Sequence, residues 1–232
     1  MSEAVQTRRV ARWQKALPWL ITIVCFGFLW TRIQGAATRA DLDVASYMAR
    51  VLASVRWGPW LALMVPYSLL FLCIDTLVIW RVITWFNAPV RLRDVLPIRA
   101  SSYILSIVNE QVGKGAIAVY MNRRHGIPGF EVGSSMLFIM FCEFYYLLAW
   151  ALLGWLLSAA ALPPIFRAIP VVAAVALLFF ALWCAFFAGR LGAGSTLRDR
   201  SILRAFRLAR PSQYLAVMLL RSPAMIAAVV VY

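Results

Sequence analysis

Five charged residues lie within stretches of sequence that are otherwise apolar, and these are the positions where chemistry is most expected. They are Asp75, Glu110, Lys114, Glu143 and Arg221. A charge at the centre of a membrane helix costs about 2.5–3.5 kcal/mol on insertion scales, so each one needs a reason. The structural reason is pairing, for example of Glu110 with Lys114 or Arg99. The functional reason is a path for ions or polar headgroups through the membrane.

Glu110 and Lys114 belong to a short polar segment that separates two apolar stretches. Residues 109–115 read Asn-Glu-Gln-Val-Gly-Lys-Gly. A broken membrane helix presents unpaired backbone groups and helix ends, which bind ions and headgroups near the midplane. We therefore predict a binding site on this segment, with Glu110 as its leading residue. The other residues that the segment contributes are Asn109, Gln111, Gly113, Lys114 and Gly115.

Two adjacent arginines, Arg123 and Arg124, follow the polar segment and precede His125, which is the only histidine. Such a pair at a membrane boundary is commonly a topology signal. The alternative is phosphate capture, because guanidinium groups bind phosphate through paired hydrogen bonds. We interpret His125 as a solvated loop residue rather than a proton carrier.

The motifs of well-known catalytic and metal sites are missing from the sequence. A single histidine excludes a site with several histidine ligands, and the four cysteines lie apart in apolar stretches without CxxC spacing. Neither HExxH nor GxSxG occurs, and Gly-Lys-Gly at 113–115 lacks the rest of a phosphate-binding loop. The sequence therefore predicts no metal, no cofactor and no enzyme activity. A membrane-embedded transferase stays open as an alternative, although Asp75, Glu110 and Glu143 are scattered in sequence.

The composition identifies the class of protein. Of 232 residues, 63% are hydrophobic and 14% are charged, whereas a soluble domain is roughly 45–50% apolar and about 25% charged. A soluble globular domain and a disordered chain are both excluded, and an all-α polytopic transmembrane helix bundle is predicted. The formal net charge of +14 indicates orientation by the positive-inside rule and attraction to anionic lipid, not nucleic-acid binding.

Hydropathy predicts a single integral membrane domain over residues 1–232 with five spans. The predicted spans are 17–33, 60–80, 134–157, 169–188 and 214–232. Amphipathic helices at the membrane surface are predicted over 41–57 and 198–210. Basic residues before the first span place the N-terminus in the cytoplasm, and a cleaved signal peptide is the alternative interpretation. Because the last span ends with the chain, we expect a truncation at the C-terminus.

The sequence pattern of residues 95–122 predicts a re-entrant helical hairpin. Each of its two apolar arms is too short to cross a bilayer, which needs about 20 residues. Arginines flank both ends, at Arg91 and Arg93 and at Arg123 and Arg124, so both ends are expected on the cytoplasmic side. The polar tip would then lie within the membrane, where protein or a watery cavity must satisfy it. A single tilted span through the glycines is the alternative.

The same region resembles a known family. The stretches RASSYILSIVNEQVGKG (residues 99–115) and YMNRRHGIP (120–128) resemble the lysylphosphatidylglycerol synthase transmembrane region, also described as a flippase-like integral membrane family. The resemblance covers residues 60–160. In that pattern, a span with an acidic residue is followed by an asparagine-containing helix, a glycine-rich break, an Arg-Gly turn and a second polar span. The matching residues are Asp75, Asn109, Gly113, Arg123, Gly126 and Glu143.

This resemblance implies a multi-pass protein of the bacterial cytoplasmic (inner) membrane that handles or translocates a phosphate-bearing lipid, either an anionic phospholipid or an isoprenoid phosphate. Glu110 and Lys114 would host the headgroup, and Arg123 and Arg124 would collect its phosphate. Movement would be passive or coupled to ions or protons. The implied lipid-binding residues are Asp75, Arg99, Asn109, Glu110, Gln111, Gly113, Lys114, Gly115, Arg123, Arg124 and Glu143.

Two other functions stay open from the sequence. One is a non-catalytic structural or partner subunit, which would bind another membrane protein or a second copy of the chain through its amphipathic segments. The other is the membrane-embedded lipid transferase.

Overall fold

The computed structural model describes residues 22–108, 110–158, 162–191 and 199–231. Every regular element in these ranges is a helix or a helical turn, which confirms the predicted all-α membrane bundle. The helices are α1 (22–39), α2 (Val44–Ser54), α3 (Trp57–Phe86), α4 (Leu92–Val108), α5 (Glu110–His125), α6 (Gly129–Ser158), α7 (Ile169–Phe187), α8 (Arg204–Leu208) and α9 (Pro211–Val231). The chain divides into two compact units, Met1–Ala62 and Leu63–Tyr232.

Four helical segments of the described ranges are long and apolar enough to cross a membrane. They are Trp57–Phe86, Gly129–Ser158, Pro164–Phe187 and Pro211–Val231. They correspond to the last four predicted spans. Each begins earlier than predicted, because its first turn contains proline, glycine or polar residues, which have low hydropathy. Of the first predicted span, 17–33, residues 17–21 lie outside the described residues and the rest belongs to α1.

In the first unit, α2 begins at a capped N-terminus. The Oδ2 atom of Asp43 accepts hydrogen bonds from the backbone N–H groups of Ala45 and Ser46, both at 3.1 Å. These bonds satisfy two of the free donors of the first helical turn. Hydrogen bonding to the side chain and backbone of Ser46 holds the pKa of Asp43 below its usual range. No residue of α2 is buried, and the position at the membrane surface predicted for 41–57 stays a prediction.

The core of the second unit centres on Phe138 of α6, which is fully buried. Its ring centroid lies 5.1 Å from that of Phe86 in α3, 5.7 Å from that of Phe206 in α8 and 4.7 Å from that of Tyr214 in α9. The rings meet at steep angles, which is a favourable arrangement for aromatic pairs. This cluster holds α3, α6 and α9 side by side.

Helices α4 and α5 form a helical hairpin, as the lengths of the two arms predicted. Gly113 of α5 lies directly against α4, because a Cβ atom at this position would clash with Ser106 Oγ and lie 2.8 Å from the backbone oxygen of Ser102. In one continuous helix, residues 102 and 113 would be about 16 Å apart at a rise of 1.5 Å per residue. The alternative of a single tilted span is therefore wrong.

The polar segment of the hairpin differs from its prediction. Residues 110–115 are helical and form the start of α5, whereas the sequence predicted a polar break over 109–115. Glycine lowers helix propensity, but it also permits close approach of two backbones. The contact between Gly113 and α4 uses that property, which explains why the glycines do not end the helix.

Of the segment predicted as an amphipathic helix over 198–210, residue 198 lies outside the described residues, and the rest does not form one continuous α-helix. After a 3₁₀ turn at Ser201–Leu203, only the short α8 is helical. Ala209 is extended, with φ −69° and ψ 132°, and Pro211 begins α9. Arg210, the residue directly before this proline, disfavours the helical conformation. Arg204 forms an ion pair with Glu131 at the start of α6.

Candidate functional site

A network of ion pairs joins α3, α4, α6 and α9, and its members are Asp75, Arg99, Glu143 and Arg221. Asp75 lies at its centre. The Oδ1 atom of Asp75 accepts a hydrogen bond from Arg221 Nη2 at 2.9 Å, and Oδ2 accepts from Arg99 Nε and from the Tyr103 hydroxyl, the latter at 3.1 Å. The Asp75 side chain is only 5% exposed. One buried carboxylate therefore provides the counter-charge for two guanidinium groups.

Arg221 connects three of these helices. Its Nη2 donates to Asp75, and its Nη1 donates to Oε1 of Glu143 at 2.9 Å. The hydroxyl of Tyr146 donates to the backbone oxygen of Arg221 at 3.1 Å, which attaches α9 to α6 at this residue. Asp75, Glu143 and Arg221 each lie in the middle third of a membrane-spanning helix. The network is therefore at mid-depth in the bundle.

The network is balanced in charge, with two carboxylates and two guanidinium groups. Arg99 has further neighbours, since its Nη1 lies 3.2 Å from Ser102 Oγ and its guanidinium carbon lies 4.3 Å from the centroid of the Tyr103 ring. Mutual pairing and a cation–π contact reduce the cost of placing these charges inside an apolar bundle.

A small cavity of about 60 Å³ adjoins the network and is lined by all four of its members. The Nε atom of Arg221 is buried, and no residue in the described part of the chain accepts a hydrogen bond from it. A water molecule needs at least about 10–15 Å³ of such space, so the cavity has room for one or more water-sized groups. A buried donor without an acceptor is unfavourable.

An apolar groove of about 520 Å³ lies between α3 and α4. Its walls are Tyr67, Ser68, Leu69, Phe71, Leu72 and Tyr103. Phe71 also lines the small cavity, and the Tyr103 hydroxyl donates to Asp75. The groove therefore leads from the apolar surface of the bundle to the edge of the ionic network.

A second groove, of about 810 Å³, lies along α5 and contains the arginine pair. It is lined by Gly115, Ala116, Val119, Tyr120, Arg123 and Arg124. Both arginine side chains are exposed, and neither forms an ion pair with a carboxylate of the described residues. Gly126, with φ +66°, follows His125 at the end of α5 in a conformation that favours glycine. Positive charge and apolar surface thus occur in one groove.

The structure separates the predicted site residues into groups. Asp75, Arg99 and Glu143 meet in the ionic network, and Arg99 pairs with Asp75. Gly115, Arg123 and Arg124 share the groove on α5, whereas Gly113 lies at the contact between α4 and α5. Asn109 lies outside the described residues, and so do the side chains of Glu110, Gln111 and Lys114.

Two members of this arrangement were not among the predicted lipid-binding residues. Arg221 was a candidate as an intramembrane charge, but nothing in its spacing indicates Asp75 as a partner 146 residues away. Tyr103 follows Arg99 by four residues, a spacing that places both side chains on one helix face. That spacing could have identified Tyr103.

The interpretation of His125 as a solvated loop residue is wrong. His125 is the last residue of α5, and its Nε2 atom is buried without a hydrogen-bond partner among the residues that the structure describes. It precedes Gly126, where the backbone has φ +66°.

No protein-family profile, curated protein or solved structure matches this chain. The resemblance to the lysylphosphatidylglycerol synthase transmembrane region therefore stays a prediction. What the chain does has to follow from the network and the two grooves.

Proposed function

We propose that this chain is a protein of the bacterial cytoplasmic membrane that handles or translocates a phosphate-bearing lipid. The ligand class is an anionic phospholipid or an isoprenoid phosphate. The observation that carries the proposal is the ionic network at mid-depth, which an apolar groove reaches from the surface of the bundle. An amphiphile requires both environments, because its chains favour apolar surroundings while its phosphate requires hydrogen-bond donors.

In this function, the groove on α5 makes the first contact with the lipid. The exposed guanidinium groups of Arg123 and Arg124 bind the phosphate, and the apolar side of Val119 contacts an acyl or isoprenoid chain. The arginine pair lies on the cytoplasmic side by the positive-inside rule, as does the N-terminus. Glu110 and Lys114, at the start of α5, then host the headgroup. Movement across the membrane is passive or coupled to ions or protons.

The test is phospholipid scrambling in liposomes. Purified protein is reconstituted with a trace of fluorescent phosphatidylglycerol, and dithionite bleaching reports how fast the dye-labelled lipid changes leaflet. The double variant Arg123→Ala/Arg124→Ala removes the phosphate donors of the groove. Since charge-assisted hydrogen bonds contribute roughly 1.5–3 kcal/mol each, we expect scrambling at least about tenfold slower than in the wild type.

Arg91→Ala/Arg93→Ala is the matched control. These two arginines are also exposed and lie on the same side of the hairpin by the charge rule, and their removal changes the net charge equally. The control should scramble at close to the wild-type rate. Equal rates for the wild type and for the Arg123→Ala/Arg124→Ala variant would refute the assigned role, and equal loss in both double variants would indicate a general effect of charge.

A structural or partner membrane subunit is the second candidate. The balanced charge of the network favours it, because a closed set of ion pairs is sufficient to specify how helices associate. Under this function, the wild-type protein does not accelerate scrambling, and it purifies from mild detergent in a stable complex with another membrane protein. The scrambling experiment and the composition of the purified complex therefore separate the two candidates.

A further inference from the structure

We propose that Arg221 and Arg99 form an anion site for a phosphate group, and that Glu143 is a tethered competitor that occupies Arg221 until the phosphate displaces it. The inference deepens the proposed function, and it rests on that function for the identity of the ligand as a lipid. Its basis is the difference between the two carboxylates of the network.

Asp75 and Glu143 are held very differently. Asp75 is 5% exposed and accepts hydrogen bonds from three side chains. Glu143 is 37% exposed and accepts, within the described part of the chain, a hydrogen bond from Arg221 alone. A carboxylate held by one hydrogen bond loses less when its ion pair opens than a carboxylate held by three. Glu143 is therefore the exchangeable member and Asp75 the fixed one.

Arg221 offers more hydrogen-bond donors than the network uses. Its Nε has no partner among the described residues, and its Nη1 becomes free when Glu143 leaves. Arg221 also lines the 60 Å³ cavity. The cavity has room for more than one water-sized group. A phosphodiester has two non-bridging oxygens that accept hydrogen bonds, so its chemistry matches these donors.

The exchange keeps the network neutral. Two carboxylates now balance two guanidinium groups. A phosphodiester carries one negative charge, so adding it to the intact network would bury an unbalanced charge, which is costly. Replacing Glu143 with the phosphodiester leaves the sum of charges unchanged. Displacement is therefore the mode of binding that the network favours.

The apolar groove between α3 and α4 provides the way in. Phe71 lines both this groove and the cavity, so the two spaces are adjacent. A lipid chain could then remain in the groove beside Tyr67 and Leu72 while the phosphate contacts Arg221. Tyr103 at the same edge keeps Asp75 in place through its hydroxyl.

The test measures binding of dihexanoyl phosphatidylglycerol to the 232-residue chain by isothermal titration calorimetry in a neutral maltoside detergent. Glu143→Gln removes the competing charge but keeps an amide oxygen that Arg221 can bond, so the fold is preserved. Because a neutral hydrogen bond is roughly half as strong as a charge-assisted one, we expect the variant to bind about tenfold tighter than the wild type.

Glu131→Gln is the matched control. Glu131 lies on the same helix, pairs with Arg204 and belongs to no part of the network, and its substitution changes the net charge equally. The control should bind with an affinity close to that of the wild type. The double variant Glu143→Gln/Arg221→Gln removes one charge of each sign and leaves the Asp75–Arg99 pair neutral. It should lose the gain.

The anion site is supported by a gain in affinity in Glu143→Gln that is absent from Glu131→Gln and lost in the double variant. The proposal is overturned by no gain, by no detectable binding in either protein, by an equal gain in Glu131→Gln, or by a gain that survives loss of Arg221. A parallel titration with inorganic phosphate identifies the source of the bound phosphate group. A gain in affinity for the lipid alone indicates a lipid headgroup, and a gain for both ligands indicates that free phosphate is sufficient.

The same variants distinguish this inference from the proposed function. Scrambling that depends on Arg123 and Arg124, together with unchanged binding in Glu143→Gln, overturns the anion site and leaves the lipid function in place. A specific gain in a protein that does not scramble supports the anion site and overturns translocation.

Discussion

Replacing Asp75 with asparagine should destabilise the protein more than any substitution of an exposed charge. The variant retains the shape of the side chain but removes the carboxylate that both Arg99 and Arg221 bind. Arg221 then keeps its ion pair with Glu143, whereas Arg99 loses its carboxylate partner. Removing one partner of a buried ion pair typically costs about 3–5 kcal/mol. Arg221 keeps Glu143 and Arg99 keeps its contact with the Tyr103 ring, so we expect the lower end, about 3 kcal/mol.

The measurement is thermal unfolding of the purified protein in detergent, followed by tryptophan fluorescence. For a chain of this length, 1 kcal/mol corresponds to a change in Tm of roughly 2–4 °C, so the expected decrease is about 6–12 °C. Scan rate and detergent concentration are held fixed, because membrane proteins often unfold irreversibly and Tm then depends on both.

Asp199→Asn is the control for Asp75→Asn. Asp199 also pairs with an arginine, Arg207, at 2.9 Å, but its side chain is 69% exposed. Exposed ion pairs contribute about 0–1 kcal/mol, so Tm should change little. If Asp75→Asn lowered Tm no further than Asp199→Asn does, the network would not be a buried element of the folded protein. The four charges would then not be paired inside the bundle.

Two further predictions concern the hairpin and the first unit. Gly113→Ala should destabilise the protein by about 1–3 kcal/mol, because its methyl group overlaps α4. Gly115→Ala should be neutral or stabilising, because no atom lies within 4 Å of the added Cβ. The Tm of each variant measures both effects. Asp43 has a pKa below its ordinary 3.8, so its capping of α2 is fully present above that pH and lost as the pH falls through the lower, folded-state value. Circular dichroism should show this acid loss of helix in the wild type and a smaller one in Asp43→Asn, since asparagine also caps.

The sequence was sufficient to predict the helical hairpin because its signals are local. Arm length and flanking arginines limit where the chain can turn, independently of any distant residue. The exact extent of α5 was not accessible in this way. Gly113 and Gly115 lower helix propensity, and only the contact of Gly113 with Ser102 and Ser106 shows why the helix continues through them. Tertiary contact outweighs propensity here.

The pairing of charges was not accessible from the sequence. Asp75, Glu143 and Arg221 were identifiable because charges in apolar stretches are costly, but which carboxylate binds which guanidinium depends on how α3, α6 and α9 are placed. That placement follows from aromatic contacts such as Phe138 with Tyr214, which leave no periodic signal. A residue 146 positions away along the chain can be found only when the bundle is known.

A network that exchanges one anion for another has a consequence for the energetics of the proposed translocation. If the phosphate replaces Glu143 at Arg221, the protein itself carries no net charge through the membrane in this step. The lipid headgroup then accounts for all of the charge that moves, at about 2.3 kcal/mol per elementary charge for every 100 mV. In a cell that is negative inside, an anionic headgroup leaving the cytoplasmic leaflet moves in the favourable direction. A chain without a nucleotide-binding motif could therefore export such a lipid, because the membrane potential supplies the work while Asp75, Arg99 and Arg221 lower the barrier at mid-depth.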